Sequence, residues 1–165
     1  MVLAGLGALV LATFLQLALP GGAAVWWLEP NLVLALVVAW AWVRGPRWAF
    51  GWAVLGGLLL DLSGGGVLGV HAVALVIAAY VVGLLRSLAG THIWPLTIPA
   101  GALGGALYGG IVALALHVFQ GEALNSALPM QLIGGAVASG AVLSVPFALL
   151  FTALQRSLAV RPSSG

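Results

Sequence analysis

Long apolar runs broken by short polar punctuation set the pattern of this chain. Dividing it at charges, prolines and polar clusters leaves six hydrophobic segments, at about 2–19, 27–43, 48–62, 68–85, 93–118 and 129–155. A hydrocarbon core of ~30 Å is crossed by ~20 helical residues rising ~1.5 Å each. The first and fourth segments fit that length, and the fifth and sixth are long enough to tilt. The second and third are short, so their hairpin needs either a thin bilayer or a cover of other protein. The pattern predicts an all-α polytopic membrane protein: six transmembrane helices in one integral membrane domain, 1–165. The first run lacks a basic leader region and is expected to stay as a helix rather than be cleaved as a signal peptide.

Composition makes lipid the solvent. Hydrophobic residues make up 63% of the 165 positions and charged ones 5%, against about 25% charged in an ordinary soluble domain. Mean hydropathy is +1.22. A soluble enzyme and a nucleic-acid binder are thereby excluded; the pI near 10 comes from five arginines with no dense basic run. The absence of cysteine removes disulfides and thiolate metal sites.

The charges set an orientation. Arg44 and Arg47 lie between segments two and three, Arg86 between four and five, and Arg156 and Arg161 after six, whereas Glu29, Asp61 and Glu122 lie in the opposite connections. Six spans with both termini in the cytoplasm put every arginine inside, as the positive-inside rule requires. Trp40, Trp42, Trp48, Trp52 and Trp94 then cluster toward the inner interface, and Trp26 and Trp27 toward the outer one. Pro99 and Pro146 fall inside the last two segments and are expected to bend them. Connections are too short for a soluble domain.

Polar chemistry within the spans is sparse. Asp61 ends the third segment, where it is expected to reach water, and no deeper carboxylate is present to build a proton relay. His71 follows ten residues later across a Gly-rich connection. We expect Asp61 to accept hydrogen bonds from backbone N–H groups of the Ser63–Gly66 turn or of a helix starting near Leu68, with His71 nearby. No catalytic arrangement, metal cluster or phosphate loop can be assembled, so neither catalysis nor a cofactor is expected. Two stripes of small residues allow close helix approach: Gly101, Gly105 and Gly109 on helix five, and Ala4, Ala8 and Ala12 on helix one. Each is either internal packing or a partner face.

The stretch from Gly56 and Gly57 through Asp61-Leu62, Ser63-Gly64, Leu68-Gly69 and His71-Ala72 resembles the MreD family, the membrane subunit of the rod-shape (elongasome) system. The opening Pro30-Asn31-Leu32 and the exit Leu84-Leu85-Arg86 are similar too. Val67 departs from the family, which often has a proline before Leu-Gly. The resemblance implies a non-enzymatic scaffold in the bacterial inner membrane that binds an MreC-like bitopic protein. It would act alongside a RodA-type glycosyltransferase, a class B penicillin-binding protein and, indirectly, the MreB cytoskeleton. It marks Gly57, Asp61, Ser63, Gly64, Gly69 and His71 as a structural motif and carries over no catalytic residue. It also implies a fold similar to the substrate-binding subunits of energy-coupling factor transporters, hence an alternative function: a vitamin-binding transporter subunit. Such subunits dock through an Ala-xxx-Ala face on helix one, which Ala4, Ala8 and Ala12 fit.

The topology is testable on this cysteine-free background. Single cysteines near Arg44, Arg86 and Arg161 should react with impermeant maleimide only from the cytoplasm, and those near Ala23 and Ala123 only from outside. External labelling beside Arg44 would rule out the six-span arrangement.

Overall fold

The computed structural model describes residues 2–18, 31–64, 67–89, 96–121 and 127–159. Among them every regular element is helical: α1 (Val2–Ala18), α2 (Leu32–Arg44), α3 (Pro46–Gly64), α4 (Val70–Ala89), α5 (Thr97–Gln120), α6 (Ala127–Ala138) and α7 (Ser144–Ala159). Helices α6 and α7 are two halves of one rod, joined by a five-residue π-helical segment, Ser139–Leu143. Three stretches are long and apolar enough to cross a membrane: Val70–Ala89, Thr97–Gln120 and Pro129–Gln155. The apolar part of α1 and the whole of α2 are shorter.

Helix α2 is the axis of the bundle. At 13 residues it is only about 20 Å long, yet Val33 through Ala41 are all buried, every side of the helix included. A helix apolar all round and buried all round is a core element rather than a lipid-facing one. It touches every other rod. Its start is fixed by Asn31, whose side-chain oxygen accepts from the Leu34 N–H at 2.9 Å, an N-cap that meets one of the donors a helix start leaves open.

Close approach elsewhere depends on glycine. A Cβ on Gly101 would overlap the Gly140 carbonyl, one on Gly105 the Ala136 carbonyl, and one on Gly109 would stand 2.8 Å from the Ile133 Cα. The glycine ladder of α5 is therefore filled by the protein's own last rod and offers no face to a partner. On α1, Ala12 is buried and Ala8 packs against the core, while the Ala4 side chain lies outside the described part of the structure.

Several expectations need correction. Trp40 and Trp52 do not line a lipid interface. They are buried, with ring centroids 5.6 Å apart, and Trp40 meets Phe151 edge-on at 4.6 Å. The Arg44 guanidinium sits 5.7 Å from the centre of the Trp40 ring, a cation–π arrangement. Trp48 is exposed, and Trp26, Trp27 and Trp94 lie outside the described residues. Pro99 does not bend α5, because the helix starts at Thr97 and a first-turn proline forfeits no helical hydrogen bond. Pro146 is the third residue of α7, one turn after the π segment ends at Leu143, so the N–H it lacks falls where the ladder is already changing from the wider turn to α-helix. Helix α3 continues to Gly64 and α4 begins at Val70, not near Leu68. In the connection between them, the described glycine with positive φ is Gly69, at 96°.

These packings predict opposite outcomes for two glycines of one helix. Gly105→Ala should lower the melting temperature, since overpacking a core costs about 1–3 kcal/mol. A Cβ on Gly110 meets nothing within 4 Å, so Gly110→Ala should be neutral or stabilising by up to about 1 kcal/mol. Thermal melts in detergent distinguish the two, and equal destabilisation would contradict the packing.

Candidate functional site

The end of the bundle where α3 passes into α4 holds a connected set of polar groups. Asp61, one turn before the end of α3, is 3% exposed, so the expectation that it reaches water is wrong. Its carboxylate is turned onto the start of α4. Oδ2 accepts from the Gly69 N–H at 2.9 Å and the Ala72 N–H at 3.4 Å, and Oδ1 accepts from the His71 N–H at 3.0 Å. The Val70 N–H turns back to the Val67 carbonyl at 3.4 Å, and the Val73 N–H reaches the Gly69 carbonyl at 2.9 Å. All the backbone donors that open α4 are thus satisfied. A carboxylate at this position also gains from the positive end of the helix dipole.

Gly57 makes this geometry accessible. It lies one turn before Asp61, and a Cβ there would overlap the backbone of Ala72, the residue whose N–H Asp61 holds. The spacing of glycine and aspartate therefore seats the first turn of α4 flat on α3, with the carboxylate beneath its N–H groups. Gly69 supplies the left-handed φ that the turn needs. Ser63 faces outward and returns its hydroxyl to the Leu59 carbonyl at 2.6 Å. Gly64 is the last residue of α3.

The network continues through His71. Its Nδ1 lies 3.1 Å from the Tyr108 hydroxyl on α5, and the two rings stack with centroids 5.8 Å apart. The Asn31 N–H donates to Ser139 Oγ at 2.9 Å, and that hydroxyl in turn donates to the Gly135 carbonyl at 2.7 Å. Two ties result: Asp61, His71 and Tyr108 join α3, α4 and α5, and Asn31 with Ser139 joins the start of α2 to the π segment.

Asn31, Tyr108 and Ser139 were visible in the sequence only as isolated polar residues. The available signals were the Pro-Asn-Leu cap and a single bulky polar residue inside a ladder of glycines. Beside the network runs a half-open groove of about 330 Å³, bordered by Asp61, His71 and Gln120 and walled by aliphatic side chains such as Val112, Leu116 and Leu132. Among the described residues no three His, Cys, Asp or Glu side chains come together as metal ligands. His92 lies outside those residues.

A family model described as rod shape-determining protein MreD matches residues 2–156. The chain belongs to the MreD family. No curated protein and no solved structure matches it. Membership in MreD, together with the three apolar helices of spanning length, makes this a membrane protein of the cell-shape complex. Gly57, Asp61, Gly69 and His71 meet at the α3–α4 junction, where they hold one helix start against its neighbour.

Replacing Asp61 tests that arrangement. Asp61→Ala strands three N–H groups, each about 1–3 kcal/mol when buried and unpaired, and should lower the melting temperature by many degrees. Asp61→Asn keeps the shape and one acceptor oxygen and should cost less. Equal melting temperatures for wild type and Asp61→Ala would refute the capping role.

Proposed function

We propose that this protein is a non-enzymatic scaffold of the peptidoglycan elongation complex, presenting a helix face to the single transmembrane span of an MreC-like partner. In this reading it crosses the bacterial inner membrane six times, with both termini in the cytoplasm, as one integral domain. The RodA-type glycosyltransferase and the class B penicillin-binding protein are neighbours in the same assembly, and the effect is on lateral wall synthesis. Arg44, Arg47 and Arg86 support the orientation. The Arg86 guanidinium lies 3.6 Å from where a Gly45 Cβ would stand, beside the α2–α3 turn, so these arginines share one end of the bundle, opposite Asp61.

The observation that carries the partner reading is Tyr80. It sits near the midpoint of the 20-residue α4, is 58% exposed, and has no hydrogen-bond partner among the described residues. Ser63, Ser87, Thr152 and Ser157 all return their hydroxyls to carbonyls of their own helices. A tyrosine hydroxyl is too far from its own backbone to do so. In hydrocarbon an unpaired hydroxyl costs several kcal/mol, and the phenol prefers the interface to mid-depth. An acceptor on a neighbouring span removes that cost. Val73, Ile77, Leu84 and Leu88 flank Tyr80 on the same exposed face, at the spacing of a helix-packing seam. Binding there shifts the partner only by its difference in affinity between partner conformations.

Co-purification in mild detergent with the MreC-like protein of the same genome tests this proposal. Recovery should depend on the partner's transmembrane helix, and Tyr80→Phe should reduce it several-fold while leaving the melting temperature unchanged. Full recovery of a partner lacking that helix would overturn recognition within the membrane.

A further inference from the structure

We infer that Arg44, Arg47 and Arg86, gathered at the Gly45 turn, form a headgroup site for an anionic phospholipid at the end of the bundle away from Asp61. Close packing builds the place. A Cβ on Gly83 would stand 2.7 Å from the Pro46 nitrogen, so the last turns of α4 are seated flat on the start of α3. Arg86, three residues further along α4, consequently reaches the buried Gly45, with Nη1 3.6 Å from where a Cβ there would stand. Arg44 immediately precedes Gly45, and its guanidinium stands 5.7 Å from the centre of the Trp40 ring. Both side chains are half-buried. Arg47, in the first turn of α3, is exposed.

No carboxylate side chain belongs to this end. The sequence holds three, and Asp61 is committed to the start of α4. Glu29 precedes Asn31 at the far end of α2, and Glu122 follows the end of α5, whose Gln120 borders the same groove as Asp61. Arg86 makes no hydrogen bond or ion pair with the described residues. Depth then decides what supplies the anion. Leu88, beyond Arg86 on α4, is 77% exposed, and Trp48 and Phe50 beside the turn are exposed too. Apolar surface thus continues past the level of Arg86, which puts its guanidinium among lipid headgroups rather than in open water. Basic sites between helix ends hold anionic lipids in this way, and the planar guanidinium fork matches two phosphate oxygens. A zwitterionic head would bring its own cation among the arginines, with no carboxylate to receive it. An anionic head brings none.

The test uses the purified full-length protein in detergent, titrated with dioctanoyl-phosphatidylglycerol or dioctanoyl-phosphatidylcholine and read by native mass spectrometry. Phosphatidylglycerol should occupy one site per chain and bind about fivefold or more tighter than phosphatidylcholine. Arg86→Gln should weaken phosphatidylglycerol about tenfold, the effect of a hydrogen bond to a charged group, and leave phosphatidylcholine unchanged. Arg161→Gln removes the same charge outside the site and should change binding little. If Arg86→Gln proves unstable, Arg47→Gln tests the same headgroup from an exposed position, where a loss of about fivefold is expected. Glycerol 3-phosphate at equal concentration should not compete. Equal losses in the site variant and in Arg161→Gln would overturn the proposal by reducing the effect to net charge. Equal binding of the two lipids would overturn it in favour of an acidic partner segment, and equal competition by glycerol 3-phosphate in favour of a soluble anion.

Discussion

The burial of α2 on every side is the constraint from which the rest of the bundle follows. A helix of about 20 Å is too short to match a bilayer core, and one with no polar face cannot lie at an aqueous surface. Its stable place is inside protein. Helix α3 packs along it through the Gly45 turn, and the sixth rod crosses it at both the Asn31 end and the Trp40 end. The remaining helices complete the wall. Lipid cannot distinguish one apolar helix face from another, so order in such a bundle comes from close packing and from hydrogen bonds. Both occur here: glycine contacts along α5, and a polar network at one end.

That network gives the packing a fixed register. Apolar surfaces in a membrane slide past one another at little cost, whereas a buried hydroxyl or carboxylate has few acceptable positions. Asp61 fixes the start of α4 on α3, Tyr108 fixes α5 to α4, and Ser139 fixes the last rod to the start of α2. At the opposite end Trp40, Trp52, Phe151 and Arg44 do the same through ring geometry. Order across the bundle therefore rests on a few specific contacts, some near helix ends, as at Asp61, and some within a helix, as at Tyr108.

The helical class and the hydrophobic segments were legible in the sequence because lipid imposes a uniform demand on side chains. The Asp61 cap was legible too, since a carboxylate followed by glycines and a new helix has few other uses in a membrane. What could not be read was which groups meet across the bundle. Asn31 and Ser139 are 108 positions apart, and nothing local marks their contact. Tryptophans mislead for a related reason: the ring suits an interface and a core alike, and only the neighbouring Phe151 decides for Trp40. The π segment did leave a trace. Ala136, Gly140, Ser144 and Ala148 are all buried and recur every four residues without the usual alternation of three and four. On a regular helix each such step drifts about 40° off the face, and a wider turn is what brings the later members back.

The break at Ser139–Leu143 divides the last rod into two surfaces with separate phases. Before it, the buried side is set by α5 and by the start of α2; after it, by Trp40 and the far end of α2. Closing that segment into regular α-helix with all its residues kept would rotate the C-terminal half of the rod by about 100°. Phe151 would swing from the aromatic cluster toward lipid even though no side chain had changed. Within this rod the winding between the two halves matters as much as the residues it joins: the extra residue and the wider turn offset each other, and only together do they let both ends seat.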